Sequence, residues 1–205
     1  MEPPRKAVFI AIEGIDAVGK RTQSTLLRAW LGRKGLTSAT LSFPDYHTEI
    51  GKEIRRFFDE QVNYPPEAIH MLLAANRWEE KRQIQSIIST NDVVIVNRYT
   101  GSNLAYGISN GLDLEWLMNL EVGLPQPDLT FVLDDAPTSV SSRRVRNKDR
   151  YERNIVLQTK ARGAYLRLAQ RFGWKVINAS LGIEGTGRAL GMEVDAALNS
   201  ERRTV

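Results

Sequence analysis

The residues best placed to do chemistry in this 205-residue chain lie close together near its start: Gly14-Ile15-Asp16-Ala17-Val18-Gly19-Lys20, a G-x-x-x-x-G-K spacing, followed by Arg21 and Thr22. Glycine adopts backbone torsions that other residues resist, so Gly14 and Gly19 let successive N–H groups point inward and cradle an anion. Lys20 adds a positive charge within reach of the outer phosphates of a nucleoside triphosphate. The chemistry on offer is polyphosphate binding along Gly14 to Thr22, with Asp16 the one acid inside the loop. The residue after the lysine departs from the general pattern. Ser or Thr there normally ligates Mg²⁺; here Arg21 takes that place and Thr22 stands one position late.

A phosphate cradle needs a strand before it and a helix after it. Ala7–Ile12 is a short apolar run suited to a fully buried parallel strand. Leu26, Leu27 and Trp30 mark a helix from Lys20 to Lys34 that stops at Gly35. Leu36–Phe43 reads as a strand ended by Pro44, and Thr48–Glu60 as a helix capped by Thr48. A long helical pattern covers Glu67 to about Ser89, then a buried strand Val93–Val96. A helix over Asp113–Glu121, a strand over Leu129–Leu133, a helical start at Ala136 that becomes very basic by Arg146, a helix over Glu152–Phe172, a strand over Trp174–Ile177 and a helix over Ile183–Leu198 complete the chain. Strands alternating with helices predict an α/β fold: a five-stranded parallel sheet with right-handed crossovers and helices on both faces, in one domain. Ligands bind beyond the C-terminal ends of such strands. The polar residues there (Asp16 and Lys20, Asp45 and Tyr46, Asn97 and Arg98, Asp134 and Asp135) are expected to converge on one crevice.

Composition narrows the class. No apolar run approaches the roughly 20 residues of a membrane helix, and the opening MEPPRK leads into a core strand rather than a signal peptide. No membrane partner and a cytoplasmic location are expected. The absence of cysteine excludes disulfides and thiolate metal sites. A net charge of +4 is mild, and without a recognised motif it does not point to nucleic acid. The densest basic cluster is Arg143, Arg144, Arg146, Lys148, Arg150 and Arg153. His47 and His70 are isolated and read as structural, and Trp78, Tyr99 and Trp174 read as packing.

Six blocks of the sequence, taken in register, resemble the thymidylate kinases of the nucleoside-monophosphate kinase group. They are the glycine loop, Phe43-Pro44-Asp45-Tyr46, Ala75–Glu79 (ANRWE), Asn97–Tyr106 (NRYTGSNLAY), Gly123–Leu129 (GLPQPDL) and Asp149–Glu152 (DRYE), spread over about residues 6–180. The resemblance implies a P-loop kinase fold with a mobile lid at about 141–151, transfer of a phosphoryl group from ATP to dTMP with Mg²⁺, and a homodimer. It implies that Arg77 meets the thymine base, that Arg98 binds the acceptor phosphate, and that Asp16 sits between sugar, phosphate and metal. Asn103 and Tyr106 match the pair that one bacterial branch places at the base and beside the sugar. Departures are Tyr46, where many relatives carry a phosphate-binding Arg; Leu73, where a Phe usually stacks on thymine; and Asn97, where an Asp usually precedes the Arg. Asn97 and Arg21 together leave Asp16 as the main carboxylate for Mg²⁺, with phosphates and water supplying most ligands.

Mechanism follows from the acceptor. A phosphate oxygen is already ionised at pH 7, so no strong base is needed, and catalysis is positioning and charge neutralisation along an in-line path. Lys20 and the loop amides hold the donor, and Arg98 holds the acceptor. The arginine over the transferring group is expected from the lid, first Arg146, then Arg150 and Arg144. Alternatives are a kinase of another monophosphate such as dUMP, or a regulatory nucleotide-binding paralogue.

Overall fold

The computed structural model describes residues 7–141 and 149–201. Its centre is strand β1 (Val8–Glu13), every residue of which is buried. Strand β3 (Val93–Asn97) is equally buried, and the two pair in parallel from Val8 opposite Val93 to Ile12 opposite Asn97. The outer strands β2 (Ser38–Ser42) and β5 (Lys175–Asn178) are polar and half exposed, as edge strands can be. With β4 (Leu129–Asp134) the order is β2-β3-β1-β4-β5, all parallel. From β1 the chain builds first one side of the sheet and then the other, so the switch in direction, where ligands bind, lies at the end of β1.

Alternation along β1 feeds two cores. Val8, Ile10 and Ile12 join a large cluster with α1 (Lys20–Arg33), α5 (Thr100–Ser109), α9 (Ile155–Phe172) and α10 (Gly182–Glu201). Phe9 and Ala11 face the other way, onto Ile84 of α4 (Lys81–Thr90), Tyr99 and Phe43. A third cluster joins α2 (Glu49–Phe58) to α3 (Pro66–Glu79). The remaining helices are α6 (Leu114–Glu121), α7 (Pro137–Ser141) and α8 (Arg150–Arg153).

Two expectations need correction. The helix expected over 67–89 is two helices that break at Glu80, which donates its backbone N–H to Trp78 O. Asn76 ties the end of α3 to the loop after β2, while Ile84 of α4 packs against β3, so the chain must turn between them; no Gly or Pro marks the spot. Helix α5 was not expected at all. It contains Gly101 and Gly107, poor helix formers, and each is there for close approach. A Cβ on Gly101 would lie 2.9 Å from Glu13 Oε1, and one on Gly107 would lie 2.5 Å from Leu117 Cδ1. Packing, not propensity, makes this helix. The cap at Thr48 is as expected, its hydroxyl accepting from Gly51 N–H.

Candidate active site

At the end of β1 the chain turns into the glycine loop. Gly14 has φ +131°, and a Cβ on it would lie 2.5 Å from Leu133 O of β4, so no other residue fits. Ile15 and Val18 are buried and fasten the loop to the core. Gly19 begins α1 in a left-handed conformation with no side-chain cap, which leaves the first amides of the helix turned to the loop. Lys20 Nζ donates to Gly14 O at 2.9 Å and Ile15 O at 2.7 Å. Burial holds its amine down at about 7, with the Arg98 cation adding to the effect. Arg21 and Thr22 are exposed on the first turn of α1.

Across the cleft stands Arg98, with φ +58°, a strained conformation for a non-glycine residue of the kind that gathers at functional sites. Its guanidinium pairs with Asp16, donates to Ser102 Oγ at 3.3 Å and lies over the Tyr106 ring. Asp16 also accepts from Tyr106 Oη at 2.7 Å and Gln158 Nε2 at 2.8 Å. Burial alone would raise its pKa, but Arg98, Lys20 and these two hydrogen bonds outweigh it and hold the carboxyl at about 2. Such a carboxylate is a positioning group and a poor proton acceptor at neutral pH.

A pocket opens beside Arg98. Asp16, Tyr46, Leu73, Arg77, Arg98, Asn103 and Tyr106, all expected to bind substrate, line it. Arg77 is only 2% exposed. Its Nε donates to Glu121 at 3.0 Å and its Nη2 also pairs with that carboxylate, which leaves the Nη1 donors for the pocket. Asn103 Nδ2 donates to Glu121 Oε1 at 2.7 Å. That bond orients the amide, so Asn103 Oδ1 accepts from His70 Nδ1 at 2.7 Å and His70 carries its proton on Nδ1. His70 Nε2 then accepts from Asn110 Nδ2 at 3.2 Å, which also reaches Tyr151 Oη at 3.0 Å. Burial and the nearby Arg77 cation, against the bond to Asn103, push His70 down to about 4. Tyr46 sits under Arg55 at the pocket mouth, and burial with the nearby Asp149 pushes its phenol up to about 12.

Asp149 caps α8 in a reciprocal box with Glu152. Burial and the Asp16 charge raise Asp149 to about 6. Tyr151 stacks on Tyr106 at 5.5 Å and closes one wall of the pocket. Arg150, expected at the donor, instead bonds Asn63 Oδ1 at 2.7 Å and lies over Phe57, so the structure does not bring it to the glycine loop. Arg144 and Arg146 lie outside the described residues. The expected convergence of Asp134 and Asp135 fails: Asp134 makes a two-point pair with Arg162, and Asp135 bonds the amide of Ala136, both away from the lining of the pocket. Asn97 joins Ser24 Oγ at 2.6 Å to Ser42 Oγ at 3.3 Å.

Sequence reasoning missed three supports. Glu13, fully buried, accepts from Tyr99 N–H at 2.8 Å and Ser102 Oγ at 2.5 Å and so holds the strained turn of Arg98. Glu121 holds Arg77. Asn76 clamps Asp45 N–H at 2.8 Å and Thr48. The available signal was charge itself: an arginine on an apolar helix face demands a buried carboxylate.

A family model described as thymidylate kinase matches residues 12–189. The chain is 31% identical over 202 residues to a thymidylate kinase of Dictyostelium discoideum, covering 98% of this chain and 89% of that protein. It is 33% identical over 183 residues to the human thymidylate kinase, covering 88% and 86%. It is 38% identical over 191 residues to a probable thymidylate kinase of Pyrococcus horikoshii, covering 87% and 91%. The solved thymidylate kinase of Candida albicans superposes with a TM-score of 0.82 at 28% identity, covering 95% of this chain and 93% of that one.

Proposed function

Since this chain belongs to the thymidylate kinase family, we propose that its glycine loop holds ATP and that the pocket of Arg77 and Arg98 holds the acceptor nucleotide. The reaction is phosphoryl transfer from ATP to dTMP, giving ADP and dTDP; nothing favours another monophosphate or a regulatory role. The observation that carries the assignment of residues is the Lys20–Asp16–Arg98 arrangement. It sets a cation for each of two phosphates on either side of one carboxylate.

In the transfer, Lys20 and the first amides of α1 bind the outer phosphates of the donor, and Arg98 binds the acceptor phosphate and shields it from them. Asp16 orients Arg98 and, with Tyr106, faces the sugar. Arg77 meets the base. Arg146, from its place in the sequence, covers the transferring group. Mg²⁺ neutralises phosphate charge when bound. Asp16 is the carboxylate that would face it, and among the described residues no group of three His, Cys, Asp or Glu forms a metal cage. One carboxylate with phosphates and water is a donor set Mg²⁺ accepts. We also read the whole chain as one domain, working as a homodimer in the cytoplasm; among the described residues no helix is long and apolar enough to cross a membrane.

The test is a coupled ADP-release assay with dTMP, dUMP, dCMP and dAMP. Turnover highest with dTMP supports the assignment, and equal turnover with a purine monophosphate would sink it.

A further inference from the structure

One buried side chain among those that line the acceptor pocket carries a polar atom with no hydrogen-bond partner. Tyr99 follows Arg98 at the start of α5 and is fully buried. Phe9 meets its ring edge-on at 5.4 Å and Phe43 packs on it at 5.8 Å. A tyrosine has two rotatable side-chain bonds, so this packing fixes where the hydroxyl points. Tyr99 lines the pocket beside Arg77, and its hydroxyl has no hydrogen-bond partner. The charges that act on it are those of Arg77 and Glu121, and burial keeps it protonated far above neutral pH. A buried hydroxyl without a partner is destabilising. Phenylalanine would pack the same ring without that cost, so the fold alone gives no reason for tyrosine.

We propose that the Tyr99 hydroxyl is a specificity-determining group that hydrogen-bonds the polar edge of the acceptor's pyrimidine ring beside Arg77. The proposal deepens the dTMP kinase reading and rests on it. Arg77 can only donate, whereas a tyrosine hydroxyl donates or accepts. Asn103 is already engaged by His70 and Glu121. Arg77 and Tyr99 together therefore suit a ring with a carbonyl next to an N–H. An aminopyrimidine would set its NH₂ against the arginine's donors, an unpaired arrangement that sites of this kind reject strongly.

The experiment is Tyr99→Phe, read by melting temperature and by separate KM values for dTMP and ATP. The expected result is an unchanged or higher melting temperature, a dTMP KM raised about 3- to 10-fold, the worth of one neutral hydrogen bond, and kcat and ATP KM within about twofold of wild type. An unchanged dTMP KM would overturn the proposal, because the hydroxyl then faces only trapped water. A melting temperature lowered by several degrees, with dTMP and ATP affected alike, would overturn it too, because the hydroxyl then serves the fold. Wild type assayed alongside keeps the two readings apart. If wild type fails to phosphorylate dTMP, the acceptor assignment falls; if it succeeds and Tyr99→Phe matches it, only the hydroxyl's role falls.

Discussion

Replacing Glu121 by glutamine tests how the pocket holds Arg77, the arginine proposed to meet the base. Glu121 Oε1 accepts from Arg77 Nη2 and Asn103 Nδ2, and Oε2 accepts from Arg77 Nε. All three partners are donors. Whichever way a glutamine amide turns, its NH₂ meets one of them, and the Arg77 cation loses its counter-charge while only 2% exposed. Breaking a buried pair in this way costs about 3–5 kcal/mol. In a chain of this size each kcal/mol lowers the melting temperature by about 2–4 °C, so Glu121→Gln should melt about 6–20 °C lower. With Arg77 loosened, the dTMP KM should rise by about tenfold or more, while the ATP KM stays near wild type. Thermal unfolding and initial rates read both effects. A double change, Arg77→Met with Glu121→Leu, should recover part of the lost stability because no unpaired charge remains. A Glu121→Gln protein that melts within about 2 °C of wild type and keeps its dTMP KM would refute the account.

Arg146→Ala should lower kcat by about 10³-fold with little change in dTMP KM, as removal of an arginine finger does; near-normal turnover moves the role to a neighbouring arginine. Asn97→Asp places a carboxylate beside Ser24 and Ser42 near the end of β3; the activity should then saturate at lower Mg²⁺, and an unchanged Mg²⁺ titration would count against the proposal that Asn97 weakens the protein's hold on the metal. His70 carries a pH signature. Its folded pKa of about 4 lies below its ordinary value of 6.5, so the unfolded chain takes up the proton first, and stability is lost as pH falls from 6.5 towards 4, by about 3 kcal/mol at the lower end. Asp149, raised to about 6, titrates in the opposite sense over the same range; the readout is therefore the stability gap between wild type and His70→Gln, which should narrow as pH falls from 7 to 4 and would be flat if His70 did not titrate.

How far residues can be read without a structure depends on what kind of interaction places them. β1 and β3 are apolar up to their last residues because both faces are covered, and that pattern is visible in the letters. The glycine loop is equally visible, since only a glycine fits 2.5 Å from Leu133 O. Helix α5 is invisible by the same logic. Its glycines argue against a helix locally, and the reasons for them, Glu13 and Leu117, lie elsewhere in the chain. The break at Glu80 has no breaker residue because it answers to two packing surfaces at once. Arg77, Arg98, Asn103 and Tyr106 were found through family resemblance, whereas Glu13 and Glu121 bond groups of the protein itself and left no motif, and Asn76, although inside the Ala75–Glu79 block, gave no sign that its partners are Asp45 and Thr48.

Those supports explain how the protein orders the site with its own groups. Among the described residues, the three cations proposed to meet substrate are each held by an acceptor of the protein's own: Lys20 by two loop carbonyls, Arg98 by Asp16, Arg77 by Glu121. The three holders differ in strength. Neutral carbonyls surrender Lys20 easily to a phosphate, which offers full charge and more acceptor atoms. Asp16 is itself held by Tyr106 and Gln158, so Arg98 can turn part of its fork to the acceptor phosphate without leaving the carboxylate unpaired. Glu121 is buried with Arg77, and neither is released; the donors that remain on Arg77 are the ones proposed to meet the base. The gradient runs from exchangeable at the donor phosphates to fixed at the base. A transferase that must release a phosphorylated product and still recognise one base needs the gradient in that direction.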